Sequence, residues 1–151
     1  MTQDELLALI EQAAEEGWTE LDLSGNLLME LPPEIGTLTE LEVLILGKYE
    51  QGKGYVSNQL RELPPEIGQL TKLKRLELAG NPLINKPSNS FQALPSEIFN
   101  LVNLQSLDLS SNQFSSLPES IEKLVNLQSL DLSSNQFSTL PESIEKLVNL
   151  Q

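Results

Sequence analysis

The 151-residue chain contains neither cysteine nor histidine, and nine basic residues stand against 22 acidic ones. Without cysteine there is no disulfide framework and no thiol chemistry. Without histidine the chain lacks the commonest general base and metal ligand. The formal net charge of −13 disfavours nucleic acid and anionic membranes, so the predicted partner is a protein or peptide with a basic surface.

Long apolar runs are also missing. The chain begins with an acidic stretch, Met1 to Glu5, which predicts neither a secretory signal nor a membrane-spanning helix. Together with the lack of cysteine, this predicts a cytoplasmic protein. No cofactor, no metal site and no enzymatic activity are predicted.

A 23-residue repeat is the strongest positive feature of the sequence. Residues 104–126 and 127–149 differ only where Ser116 is replaced by Thr139. The shared template has Leu at positions 1, 4 and 6, Asn at 9, an apolar residue at 11, Leu-Pro at 14–15, Ile at 18 and Leu at 21. The chain divides into a leading segment 1–17, repeats 18–40, 41–72, 73–103, 104–126 and 127–149, and a stub 150–151.

Two repeats carry insertions. Nine extra residues precede Asn58 in the repeat 41–72, and eight extra residues are predicted between Asn81 and Phe91 in the repeat 73–103. Such insertions often fall on the binding side of a solenoid.

The template itself predicts the fold. The spacing of two between positions 4 and 6 indicates a strand, and the apolar residues after Leu-Pro indicate a short helical or 3₁₀ turn. One unit cannot bury its apolar side, so the units must stack. A buried Asn at position 9 can hydrogen-bond the backbone of its own turn and the next. The predicted structural ladder consists of Asn26, Asn58, Asn81, Asn112 and Asn135.

The pattern L-x-x-L-x-L-x-x-N-x-[LF]-x-x-L-P-x-x-I-x-x-L over residues 18–151 resembles the leucine-rich repeat in its 23-residue, Leu-Pro form. This resemblance implies an α/β right-handed solenoid with a parallel sheet on its concave face and short helical or 3₁₀ turns on its convex face. The opening also resembles the N-terminal repeats of bacterial, and especially cyanobacterial, leucine-rich repeat and Roco-type proteins. In Roco proteins a GTPase follows the repeats, but no G-x-x-x-x-G-K-[ST] motif occurs here.

The two ends of the array differ. Thr2 and Glu5 have capping-box spacing, and Gly17 suits a helix end, so residues 1–17 are predicted to form an N-terminal capping helix. Nothing comparable covers Leu150. Either the array is a fragment of a longer one, or its open edge self-associates. Both natural duplication and engineered extension fit the near-identical repeats.

The candidate binding site lies on the second and third repeats. Alternation along a strand directs positions 3, 5 and 7 to the concave face, where apolar side chains interrupt a polar surface. The candidate partner-binding residues are Val43, Ile45, Tyr49, Tyr55, Arg75 and Glu77. An alternative is that the two tyrosines cover Val43 and Ile45 as a local packing cluster.

Asp108 and Asp131 are predicted to stack across neighbouring strands, but an open, solvated pair does not favour a catalytic or metal-binding role. The predicted function is therefore a non-catalytic module that binds a polypeptide through its concave face and its insertions. The alternative is an N-terminal regulatory segment of a larger Roco-like GTPase protein.

Overall fold

Each repeat contributes one short strand to a parallel sheet and one 3₁₀ helix to the opposite face. The computed structural model describes all 151 residues. The strands are β1 (Glu20–Asp22), β2 (Val43–Glu50), β3 (Gly54–Ser57), β4 (Arg75–Leu78), β5 (Ser106–Asp108) and β6 (Ser129–Asp131). The sheet order is β1-β2-β4-β5-β6, all parallel, and β3 pairs antiparallel with β2. The predicted α/β solenoid is confirmed.

The Leu-Pro pair sets the start of every 3₁₀ helix. Each proline lies immediately before its helix in an extended conformation, for example Pro32 with φ −72° and ψ 152°. The fixed φ of proline allows the chain to turn there without losing a needed N–H donor. The five helices are Pro33–Thr37, Pro65–Gln69, Ser96–Asn100, Glu119–Lys123 and Glu142–Lys146.

Helix α1 (Gln3–Glu16) covers the first repeat. The Glu5 N–H donates to Thr2 Oγ1 at 3.2 Å, and the Thr2 N–H donates to the Glu5 carboxylate at 2.7 Å, which completes the capping box. Gly17 ends the helix in the left-handed conformation, at φ 64°. The buried side of α1, which includes Leu6 and Ile10, joins the main core. The structure has no helix with the length and apolar character that crossing a bilayer requires.

One continuous apolar column runs through the solenoid. Its 32 buried residues form a single cluster that extends from the cap helix to Leu147, so the repeats share one core. Burial falls off in the last repeat: Leu130 and Phe137 are only partly buried, whereas their counterparts Leu107 and Phe114 are almost fully buried.

Buried asparagines tie neighbouring turns together. Asn58 is completely buried. Its amide donates to the carbonyls of Leu23 and Leu46, at 2.9 and 2.8 Å. Its side-chain oxygen accepts the N–H groups of Asn26 and Leu28, both at 3.1 Å. This one side chain therefore satisfies four backbone groups in two successive repeats.

The same pattern recurs further along. Asn112 donates to the carbonyls of Leu78 and Leu109, and its oxygen accepts the Phe91 N–H at 3.0 Å. Asn135 accepts the Phe114 N–H at 3.0 Å. Asn26, in the first repeat, donates only within its own turn.

The third repeat departs from the prediction, because Asn89 rather than Asn81 occupies the ladder position. Asn89 is buried, donates to the Leu46 carbonyl at 3.1 Å, and accepts the Leu60 N–H at 3.1 Å. Asn81 is partly exposed and its side-chain oxygen accepts the Leu83 N–H inside a loop. The inserted residues therefore precede the ladder asparagine, as they do in the second repeat.

Gly80 allows the inserted chain to pass very close to the next turn. A Cβ atom at this residue would lie 1.7 Å from the Ser111 carbonyl oxygen. We expect Gly80→Ala to lower the free energy of unfolding by about 2 kcal/mol, because the backbone must shift. Urea unfolding measures the loss, with Gly52→Ala as the control: Gly52 has φ +86° but open space around it, so only backbone strain of about 1 kcal/mol is expected. Equal losses would contradict the close approach.

Candidate functional site

Four acidic side chains form a row across the concave face. The register aligns Asp22 with Ile45, Ile45 with Glu77, Glu77 with Asp108, and Asp108 with Asp131. Neighbouring strands lie about 4.8 Å apart, so each side chain is next to its counterpart in the adjoining repeat. The face presents an acidic row that a single isoleucine interrupts.

Ile45 was predicted to be an exposed contact residue, and this is wrong. Its side chain is only 4% exposed, although it lies outside the main core cluster. It sits in register between Asp22 and Glu77, and each of these carboxylates pairs with a long basic side chain, Lys48 and Arg75 respectively. Val43, two residues earlier, is half-buried.

Two basic side chains partly neutralise this end of the row. Lys48 Nζ lies 2.6 Å from the Asp22 carboxylate. Arg75 lies 3.8 Å from Glu20 and 3.5 Å from Glu77. The buried Nε–H of Arg75 nevertheless donates no hydrogen bond. Neither Asp108 nor Asp131 takes part in an ion pair.

The carboxyl pKa values differ between Asp22, which has a close basic partner, and Asp108, which has none. Burial raises the pKa of Glu77, although Arg75 opposes the shift. Burial also raises the pKa of Asp108, and the neighbouring charge of Asp131 adds to it. At Asp22 burial acts in the same direction, but the hydrogen bonds from Lys48 and Ser24 outweigh it and lower the pKa. The end of the row formed by Asp108 and Asp131 thus holds negative charge that no basic side chain of the protein pairs with.

Each of the three aspartates in the row is the last residue of its strand. Each accepts the N–H of the serine two residues later, a local turn that competes with strand pairing. The pairs are Asp22 with Ser24 at 2.9 Å, Asp108 with Ser110 at 2.8 Å, and Asp131 with Ser133 at 2.9 Å. The two repeats with Ile45 and Glu77 at this position lack that turn, and both continue into insertions.

The first insertion is a β-hairpin made by the end of β2 and by β3. Tyr49 pairs with Tyr55 across it, with ring centroids 5.2 Å apart in an edge-on arrangement. Lys48 reaches the concave row, so strand alternation directs the adjacent Tyr49 to the other face of the hairpin. Tyr49 is 63% exposed. The tyrosines therefore pack on each other, and Tyr49 presents most of its ring to solvent.

The second insertion leaves the same edge of the sheet, after β4. It exposes two adjacent apolar side chains, Leu83 at 59% and Ile84 at 88%. Sequence reasoning missed this pair and also missed Lys48. The signal for Leu83 and Ile84 was available, because an apolar pair between two prolines in a turn-rich segment has no strand partner to cover it.

A pH-dependent effect on stability follows from the row. Because the folded state raises the pKa of Asp108, it favours the protonated form, and stability decreases as pH rises from the ordinary Asp value through the raised one. We expect Asp108→Asn, which can still accept the Ser110 N–H, to be more stable than the parent at pH 7 by up to about 1 kcal/mol. The difference should vanish below about pH 4.

Urea unfolding at pH 7 and below about pH 4 measures the difference in stability between Asp108→Asn and the parent. Asp22→Asn is the control with the opposite sign, because the lowered pKa of Asp22 contributes stability above its ordinary pKa that is lost on acidification. A parent chain that is more stable than Asp108→Asn at pH 7 would contradict the uncompensated charge.

The concave face is an open surface formed by the parallel strands. No group of three or more acidic or other ligating side chains is arranged to hold a metal ion. The acidic row crosses the concave sheet, and the hairpin and the exposed loop extend from the edge where β2 and β4 end. This defines a solenoid repeat protein with an extended surface along its strands.

Comparison with known proteins places this solenoid in a family. A family model described as leucine-rich repeat matches residues 87–137 and 102–151, and a second one matches residues 18–38 and 72–94. The chain belongs to the leucine-rich repeat family. A search of curated protein sequences found no match.

Solved structures support the same assignment. A leucine-rich repeat protein of Leptospira interrogans is 33% identical with a TM-score of 0.68, over 93% of this chain and 38% of that one. The internalin InlF of Listeria monocytogenes is 26% identical with a TM-score of 0.70, over 92% and 35%. The ectodomain of the Arabidopsis receptor kinase HAESA, bound to a peptide hormone, is 28% identical with a TM-score of 0.66, over 91% and 22%.

The chain thus spans less than half the length of each of these relatives. Its fold is that of proteins that typically act as non-catalytic interaction modules. The resemblance to Roco proteins is not supported by these matches and stays a prediction.

Proposed function

We propose that this chain is a protein-interaction module that binds a basic polypeptide segment along its concave face, with the two insertions holding one side of the ligand. The observation that carries the proposal is the end of the acidic row that has no cationic partner, Asp108 and Asp131, next to Glu77, which Arg75 only partly neutralises. Cationic side chains laid across these strands would relieve the unfavourable burial of charge.

The insertions supply the apolar part of the contact. Tyr49, on the face of the hairpin opposite Lys48, and Ile84, in the insertion after β4, are exposed at the edge of the sheet where the strands end. A large exposed aromatic ring and a large exposed aliphatic side chain are typical anchors at the centre of an interface. The peptide hormone bound to HAESA shows that a related solenoid accepts a polypeptide.

Selection from a random peptide display library tests the proposal. We expect the enriched peptides to carry Lys or Arg and to lose at least about tenfold in affinity for Glu77→Gln/Asp108→Asn. Tyr49→Ala should weaken the same peptides. Ile45 is unsuitable as a surface probe because it is buried.

The control is Glu142→Lys/Glu145→Lys, which reverses two charges on the convex side of the last repeat. If the enriched peptides bind Glu77→Gln/Asp108→Asn and Tyr49→Ala with the same affinity as they bind the parent protein, the concave site is ruled out. The Roco-like alternative makes a separate prediction, that a GTPase is encoded beyond residue 151.

A further inference from the structure

Acidic charge is concentrated at the capped end of the solenoid. All nine basic residues lie at or after Lys48, whereas half of the 22 acidic residues precede it. Helix α1 contains no basic residue. Most of the net charge of −13 therefore belongs to the cap and the first repeat, which contributes only Asp22 to the acidic row.

A groove lies at this end, between α1 and the 3₁₀ helix Pro33–Thr37. Its volume is about 370 Å³. The apolar lining is Leu7, Ile10 and Ala14, and the acidic lining is Glu11, Glu15 and Glu34. Ile10 is buried at the base, Leu7 is half-buried, and Ala14 is exposed.

The three lining glutamates have no cationic partner, since none of them takes part in an ion pair. The acidic lining also continues along the convex face through Glu66 and Glu97, beside a second groove of about 310 Å³. Gly36 allows this continuity, because a Cβ atom there would lie 2.9 Å from the Glu66 Cβ. Successive 3₁₀ helices are therefore in direct contact, and their glutamates follow one another.

The charge restricts what can occupy the groove. An anionic membrane or a nucleic acid would be repelled. A second copy of the cap would bring the same negative charge. A segment with an apolar side chain flanked by Lys or Arg matches both the apolar base and the unpaired carboxylates.

We propose that the groove between α1 and the first 3₁₀ helix docks a cationic amphipathic helix of a partner protein. An apolar side chain enters between Leu7 and Ala14, and the basic side chains on either side reach Glu11, Glu15 and Glu34. This is the helix-in-groove mode of recognition, in which a stripe of apolar anchors selects the site and the flanking charges fix the orientation. The site is separate from the concave face.

The probe is a synthetic peptide of about 14 leucine and lysine residues, spaced so that the leucines form one helical stripe. Methyl NMR of the full chain follows Leu7, Ile10 and Ala14 during the titration. We expect saturable shifts at these methyls, and binding weakened at least about tenfold by Glu11→Lys/Glu15→Lys. Glu142→Lys/Glu145→Lys, with the same charge change at the opposite end, should bind as the parent does.

A scrambled peptide of identical composition separates docking from simple charge attraction. The proposal is overturned if both peptides shift the Leu7, Ile10 and Ala14 methyls equally, or if neither peptide shifts them. Glu77→Gln/Asp108→Asn tests independence from the proposed concave function, because in this variant the groove methyls should shift at the same peptide concentrations as in the parent. Circular dichroism of each variant verifies the fold.

Discussion

Replacing Asn58 with alanine is expected to lower the free energy of unfolding by at least about 2 kcal/mol. The side chain is fully buried and satisfies four backbone groups, two as a donor and two as an acceptor. Each buried polar group left unpaired costs roughly 1–3 kcal/mol. Alanine leaves the N–H groups of Asn26 and Leu28 without a partner. The Leu23 and Leu46 carbonyls keep the hydrogen bonds that Asn26 and Asn89 donate.

Urea unfolding of paired variants in the third repeat gives the internal control. Asn89→Ala should cause a loss of similar size to Asn58→Ala, since Asn89 bonds the backbone of neighbouring repeats. Asn81→Ala should change stability by less than about 0.5 kcal/mol, because this loop residue is partly exposed. A larger loss for Asn81→Ala than for Asn89→Ala would contradict the assignment of Asn89 to the asparagine ladder.

Adding one further copy of residues 127–149 after Asn149 is expected to raise the free energy of unfolding by roughly 3 kcal/mol or more. The last repeat leaves a set of apolar residues only partly buried: Leu130, Leu132, Phe137, Ile144 and Leu150. The preceding repeat has an almost identical sequence, and its neighbour buries the corresponding side chains. The path for another strand is already set, because the Gln151 N–H donates to the Gln128 carbonyl at 2.9 Å, as the Gln128 N–H does to Gln105.

The control is an added repeat of equal length in which serine replaces the apolar template residues. It should give no stabilisation, because it has no apolar side to stack. Sedimentation of the parent tests the predicted self-association through β6, which an extended chain with a polar final turn should not show. An unchanged unfolding midpoint after the apolar extension would contradict the nearest-neighbour account.

Much of the architecture could be predicted because the same residue pattern recurs in five successive repeats. The strand period, the Leu-Pro turn and the capping box each depend on a few neighbouring residues, so local spacing was sufficient. Asn89 was missed because two asparagines compete for one position when an insertion lies between the strand and the corner. Its spacing of two residues before Phe91, matching Asn112 before Phe114, was the signal that resolves them.

The candidate site was harder to predict, because burial of a surface side chain depends on the lengths of its neighbours. Alternation correctly directs Ile45 away from the main core. It does not reveal that Lys48 returns from the hairpin to Asp22 and that Arg75 reaches Glu77. Contacts of this kind join residues whose spacing no repeat template contains.

The uneven distribution of charge along the solenoid makes the molecule an electric dipole. A positively charged partner approaching in dilute salt would turn the protein until its cap end leads, before any specific contact forms. At physiological ionic strength this torque acts only within about 8 Å. Collisions would then be oriented at short range, and the rate of productive encounters would depend on the salt concentration more steeply than the lifetime of the complex does.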